Sequence, residues 1–189
     1  MHRETVLEGI LASRRGIPGK VTVERPPAAP REIPLHGPKA AGRVALVDDS
    51  DYELVSAYRW CAVENSWNPR LVLTYAVTHV SKRSAFMHRL ITGYTRVDHA
   101  DNDGLNNQRW NLREATAGQN LANARLRSDN TSGYKGVCWA KDKSRWSAQI
   151  CADGRTRHLG YYATAEDAAR AYDAAALAIW GEFAHPNFP

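Results

Sequence analysis

Residues 133–189 read as three short strands and then one helix, an order that few folds can accommodate. The runs "YKGVCW", "RWSAQIC" and "RTRHLGYY" are rich in β-branched and aromatic residues. "KDKS" separates the first pair and "ADG" the second, and Asp-Gly between strand-like runs is a strong hairpin signal. "TAEDAARAYDAAALAIWG" follows with helical character. Thr164 suits an N-cap, Glu166 and Asp167 suit a positive helix N-terminus, and Gly181 suits the stop. Ala168, Tyr172, Ala175 and Ile179 share one face, and the alanines let that face lie close to a sheet. The expectation is a three-stranded antiparallel sheet packed on one helix.

Strand alternation assigns the two faces of that sheet. Trp146, Ala148 and Ile150 face the helix; Arg145, Ser147, Gln149 and Cys151 face outward. Residues 135–162 hold Lys135, Lys141, Lys143, Arg145, Arg155 and Arg157 against Asp142 and Asp153. An open, polar, basic sheet face can lie in a DNA major groove, where Gln and Arg read base edges. An ordinary solvated face reads the same from charge alone. Trp146 reads as core, and Trp139 suits either face.

The preceding chain is strand-rich. "RVALVDD", "YRWCAV", "LTYAVTHV" and "SAFMHRLITG" predict a meander of strands separated by polar turns. "TAGQNLANARL" predicts a helix with Thr116 as N-cap, and "RSDNTSG" a turn-rich linker. Residues 1–38 hold six of the nine prolines and read as a flexible arm, with a short helix at 4–13 and basic Arg14, Arg15 and Lys20. The fold class is therefore α+β with two small domains. The expected divisions are an arm at 1–38, a strand-rich domain at 39–124, a linker at 125–132 and the sheet-plus-helix domain at 133–189.

The 189 residues, 43% hydrophobic, are enough for one ordinary core or two small ones. A net charge of +5 and a pI near 9.2 bias the chain toward polyanionic partners. Cys61, Cys138 and Cys151 form no CxxC pair, which points to a reducing compartment and away from a zinc ribbon. No apolar run is long enough to span a bilayer, and no signal-peptide pattern opens the chain. The expectation is a cytoplasmic protein without a membrane partner.

"VDHADNDGLNNQRWNLR", residues 97–113, concentrates short oxygen-bearing side chains. An EF-hand register with Gly104 at the sixth position places His99 first and Trp110 twelfth, where acidic ligands are needed, so that match fails. Asp101, Asn102, Asp103, Asn106 and Asn107 suit a hydrogen-bonded turn. Asp98 and His99 end a strand, and Asn120 lies early in the next helix. Folded together, a carboxylate and an amide oxygen make a hard, incomplete shell suited to Mg²⁺, with an imidazole beside it to take a proton from water.

"MHRLITGYTRVDHADNDGLNNQRWNLREATAGQN" resembles the HNH homing endonucleases of phages and bacteria, whose fold is a ββα-metal finger. The resemblance implies that Asp98 is a metal ligand, His99 the general base and Asn111 the central Asn that braces the loop. Asn120 falls on the motif's last position, giving an H-N-N variant with Asp98 and Asn120 on one Mg²⁺ or Mn²⁺ per site. The implied reaction is phosphodiester hydrolysis to a 5′-phosphate and a 3′-hydroxyl. His88 is a candidate phosphate contact or a structural histidine; His79 reads as surface. One finger makes one cut, so a monomer nicks.

"SGYKGVCWAKDKSRWSAQICADGRTRHLGYYATAEDAARAYDAAALAIWGEFAHPNFP" is similar to the plant ethylene-response-factor, Apetala-two type DNA-binding domain. That similarity places Lys135, Gly136, Gln149, Cys151, His158 and Tyr161 at DNA-facing positions, with Lys141, Lys143 and Arg145 toward phosphates. Cys138, Cys151 and His158 replace residues of the plant domains, so the plant target sequence does not carry over. The two resemblances together imply a site-preferring, metal-dependent endonuclease of double-stranded DNA. The rival reading is a DNA-binding transcriptional regulator with a decayed nuclease; a basic RNA-binding protein ranks third.

Overall fold

The structure, a computed structural model, describes residues 29–65, 72–80 and 83–188. The helix expected at 4–13 and the basic residues Arg14, Arg15 and Lys20 lie outside the described residues. The chain divides into two compact units, Met1–Ala115 and Thr116–Pro189.

The first unit is built on five strands: β1 (Arg31–His36), β2 (Val44–Val47), β3 (Trp60–Glu64), β4 (Thr74–Val80) and β5 (Arg83–Phe86). Their order across the sheet is β2-β1-β3-β4-β5. β1 runs parallel to β3, so the sheet is mixed rather than the simple meander expected. β1 also lies inside the stretch read as an arm. Its proline-rich surroundings hid it, yet Ile33 and Leu35 alternate inward between exposed Glu32, Pro34 and His36. Pro34, which has no N–H, stands where β1 leaves its pairing with β2 for β3.

Two helices serve this sheet. α1 (Asp49–Ser56) buries Val55 and Asp51, and the indole N–H of fully buried Trp60 donates to the Val55 carbonyl at 2.8 Å. α2 (Met87–Thr92) replaces the second half of the strand expected over "SAFMHRLITG". Met87, Leu90 and Ile91 are buried at helical spacing, and Gly93 ends the helix in the left-handed region at φ 72°. The short antiparallel pair β6 (Val97–His99) and β7 (Leu112–Glu114) follows. The core gathers Ile33, Val47, Val55, Trp60, Met87 and Leu90.

The second unit opens with α3 (Ala117–Asn123). Thr116 and Gln119 form a reciprocal capping box that satisfies two helix-end donors. β8 (Val137–Ala140), β9 (Arg145–Ala152) and β10 (Arg155–Tyr162) make an antiparallel sheet in the order β10-β9-β8. The Asp153-Gly154 turn has positive φ at both residues, 52° and 71°, as a tight hairpin requires. The sheet packs on α4 (Ala165–Trp180), capped by Thr164. The buried face of α4 is Ala168, Ala169, Tyr172 and Ala176; Ile179, expected on that face, is exposed. Buried Asp173 ties the tail back, accepting from the Asn187 and Phe188 backbone N–H groups at 2.8 and 3.0 Å.

Candidate active site

β6 carries Asp98 and His99 at successive positions, and the pairing of β6 with β7 sets Asp98 opposite Arg113 and His99 opposite Leu112. The Arg113 guanidinium donates to one oxygen of Asp98, Oδ2, through Nε at 3.1 Å and through Nη2. Both side chains are largely buried, at 7% exposure for Asp98 and 18% for Arg113. The residue read as a metal ligand is thus one half of a shielded ion pair.

His99 sits in a wall of rings. Its centroid lies 5.0 Å from that of His88, edge to face, and 5.9 Å from that of Tyr75. His88 stacks on Phe86 at 5.3 Å. Burial pushes the His99 pKa below its usual value, against the opposing pull of Asp101, Asn107, Asp98 and Asp103. Burial, with His99 and Arg89 nearby, pushes His88 well below. Both imidazoles are therefore neutral at pH 7, and a neutral imidazole is the form that accepts a proton. The structure brings His88 to His99, whereas His79 lies on the surface against the Ser84 hydroxyl.

The loop from His99 to Leu112 is held from within. Asn111, with no exposed surface, donates to Asp101 Oδ1 and to the Asn106 carbonyl, both at 2.8 Å, and accepts from the Asp101 backbone N–H at 2.9 Å. Asp101 also accepts from Asn106 Nδ2 at 2.6 Å and from the Asp103 backbone at 2.8 Å. These are the turn bonds expected of Asx residues, but the loop is interior rather than superficial: Asn106, Asn107 and Gln108 are buried. Its backbone docks on β2, with Leu46 N–H donating to the Leu105 carbonyl and Asn107 N–H to the Leu46 carbonyl. Gly104 permits a close approach to β4, since a Cβ there would strike the Thr74 carbonyl and the Tyr75 ring.

A second clamp comes from α1. Arg109 makes a bidentate pair with buried Asp51 at 2.8 and 2.7 Å. Asp48 takes the Arg109 backbone N–H and the Gln108 amide. Sequence reasoning missed Tyr75, Arg113 and this clamp. Each depends on a partner far along the chain; the readable trace was "VDH" facing "LRE", with an acid where the other strand has a base.

Among the described residues, no group of three or more His, Cys, Asp or Glu is arranged to hold a metal ion. Asp98 by itself is a hard oxygen donor next to a neutral imidazole. It suits an ion such as Mg²⁺, which takes one or two carboxylates and keeps water for the rest, provided Arg113 yields its oxygen. Asn120 lies on α3 in the second unit, its backbone N–H donating to the Thr116 carbonyl at 3.1 Å.

In the second unit the residues expected to face DNA separate into three groups. By register, the open face of the sheet carries Cys138, Arg145, Ser147, Gln149, Cys151, Thr156, His158 and Tyr161. Arg145 is its only full charge, so the face is polar and nearly neutral rather than basic. Lys141 and Lys143 are exposed in the β8–β9 turn, and Arg155 and Arg157 lie exposed on the edge strand at positions paired with the helix-side residues Ala152 and Ile150. The basic residues therefore rim the face. His158 rests on Tyr161 with centroids 4.5 Å apart and its Nδ1 lies 3.3 Å from the Ser147 hydroxyl, beside a bulge in β10.

Lys135 and Gly136 depart from their expected place. The Lys135 ammonium turns inward and donates to the carbonyls of Ala122 and His185 at 2.8 and 2.9 Å. Burial lowers its pKa to about 8 against the pull of Asp173. Gly136, at φ 71°, lies where a Cβ would collide with Tyr172 and the Gln149 carbonyl. It serves packing, because only glycine combines that backbone angle with that clearance.

Residues 132–182 match the model of the AP2 domain family. The chain is 29% identical over 149 residues to an uncharacterized HNH endonuclease of Acanthamoeba polyphaga mimivirus, covering 79% of this chain and 77% of that protein. It is 37% identical over 63 residues to Protein 3.8 of Escherichia phage T7, covering 33% of this chain and 52% of that protein. It is 52% identical over 60 residues to an ethylene-responsive transcription factor of Arabidopsis thaliana, of which those residues cover 23%. No solved structure gives a match.

Proposed function

We propose, for a chain that is homologous to an HNH endonuclease and carries an AP2 domain, that it is a metal-dependent endonuclease of double-stranded DNA. In this reading the second unit selects the site, and the first nicks one strand near it. The observation that carries the proposal is the pairing of a buried, neutral His99 with the adjacent Asp98 carboxylate, in a loop braced by Asn111.

His99 acts as general base and takes a proton from the attacking water. Asn111 keeps the loop shut, so that His99 holds its orientation. Asp98 holds the ion, the role that the HNH resemblance assigns to it. Bound there, a Mg²⁺ or Mn²⁺ ion supplies charge stabilisation for the phosphoryl group and the departing 3′ oxygen. The products are a 5′-phosphate and a 3′-hydroxyl. On the second unit, Gln149, His158 and Tyr161 read base edges, while Lys141, Lys143 and Arg145 contact phosphates. The protein acts as a monomer in the cytoplasm of the infected or bacterial cell; no helix among the described residues is long and apolar enough to cross a membrane.

The Asp98–Arg113 pair favours one other reading, a DNA-binding regulator whose carboxylate never meets an ion. Supercoiled plasmid bearing the gene's own flanking DNA separates the two. Open-circle product that requires Mg²⁺ or Mn²⁺, stops with EDTA and disappears in His99→Ala supports the nuclease. Tight duplex binding without cleavage of any flanking DNA supports the regulator, and linear product would overturn the single-site nick.

A further inference from the structure

The ion pair between Asp98 and Arg113 is unusual for the residue it engages. Register fixes the two directly across β6 and β7, so the contact is built into the hairpin. Two guanidinium nitrogens address one oxygen of the carboxylate. A divalent cation seeking that carboxylate would meet a positive charge already there, in a site shielded from water where like charges repel strongly. Arg113 is the more exposed partner, and its long side chain can turn toward solvent while Asp98 stays buried. A guanidinium that leaves a carboxylate is well shaped to take a phosphate, because its planar donors match either anion.

We propose that Arg113 is a further functional group of the site. It guards Asp98 until a divalent cation claims the carboxylate, then turns to a non-bridging oxygen of the phosphate being cleaved. Loading and substrate engagement are thereby coupled, because the same charge leaves the carboxylate and meets the incoming anion. The inference rests on the nuclease reading above.

The test uses the full chain and Mn²⁺ alone as the first probe, followed by calorimetric titration. Arg113→Gln removes the competitor. It should bind Mn²⁺ about tenfold more tightly than wild type, since a competitor that occupies the binding-competent carboxylate lowers apparent affinity. The same variant should cleave plasmid about a hundredfold more slowly, the usual effect of losing one oriented donor to the transition state. Arg113→Lys keeps the charge without the fork and should recover part of the cleavage, and it stands in should the glutamine variant melt early. Unchanged or weaker Mn²⁺ binding in folded Arg113→Gln would overturn the guarding role. Tighter Mn²⁺ binding with wild-type cleavage would overturn the phosphate role. Wild-type protein that neither binds Mn²⁺ nor cleaves sinks the nuclease reading itself. That outcome is distinct from a wild type that does both and an Arg113→Gln variant indistinguishable from it, which sinks the Arg113 proposal alone.

Discussion

His88, from α2, and His99, from β6, meet edge to face with ring centroids 5.0 Å apart, both buried and both held below the usual imidazole pKa. Each therefore binds fewer protons in the folded protein than in the unfolded chain as pH falls below about 6.5, the ordinary histidine value. Stability rises with pH wherever the unfolded state binds more protons. The contribution is fully present above that value and is lost as pH falls toward the folded pKa values. Thermal melts from pH 7.5 to 5 should show a falling Tm, with a shallower slope in His88→Phe. An equal slope in that variant would remove His88 as a source of the acid sensitivity. For the same reason, the acid limb of the cleavage rate should lie below pH 6.5.

The Asn111 side chain makes three hydrogen bonds inside the loop, and the residue has no exposed surface. Asn111→Ala should destabilise the first unit by about 1–3 kcal/mol, since it strands buried polar partners. Cleavage should fall further than the melt alone explains, because His99 loses its support. Comparing residual activity with the folded fraction, measured at one temperature, checks this.

The Arg109–Asp51 pair ties that loop to α1, with Asp51 buried and Arg109 half exposed. Arg109→Ala should cost about 1–3 kcal/mol, mainly by leaving the Asp51 carboxylate without its partner. Asp51→Asn with Arg109→Gln should cost less than the two single changes together. Urea melts of all three variants measure the coupling, and strict additivity would show that the clamp does not act as a unit.

Lys135 lies just before β8 and Lys143 in the β8–β9 turn, and the structure gives them different tasks. Lys143 is exposed in the turn, while the Lys135 ammonium is spent on the carbonyls of Ala122 and His185. Lys143→Ala should reduce the salt slope of duplex binding by about one. Lys135→Ala should leave that slope alone and instead lower the melting temperature of the second unit. Gel-shift titrations across several salt concentrations decide between them; a slope lowered by Lys135→Ala would put its charge on the DNA after all.

The local part of this architecture was legible and the long-range part was not. Asp153-Gly154, Thr116 and Thr164 act within a few residues of themselves, and each does in the structure what its local chemistry implies. β1 was hidden because Pro34 argues against a strand unless one knows that its neighbour changes there. α2 was hidden because "SAFMHRLITG" has apolar residues that satisfy either period until Gly93 decides. Asp98 and His99 were legible as chemistry, but the arginine opposite Asp98 was not, since strand register is set by tertiary contacts. Lys135 misled for the converse reason: a lysine in a basic segment reads as surface, and only the packed carbonyls around it make an inward turn favourable.

The loop between β6 and β7 carries one further implication. Asn107 and Asn111 are as shielded as Trp60 and Val47, and the turn around them bonds to itself, to β2 and, through Gln108 and Arg109, to Asp48 and Asp51. Loops ordinarily absorb insertions and drift freely in sequence. Here the usual expectation inverts: lengthening the chain by a single residue between Ala100 and Trp110 should be harder to tolerate than lengthening the β8–β9 turn, so across related chains this connection should keep a constant length while the exposed turn varies.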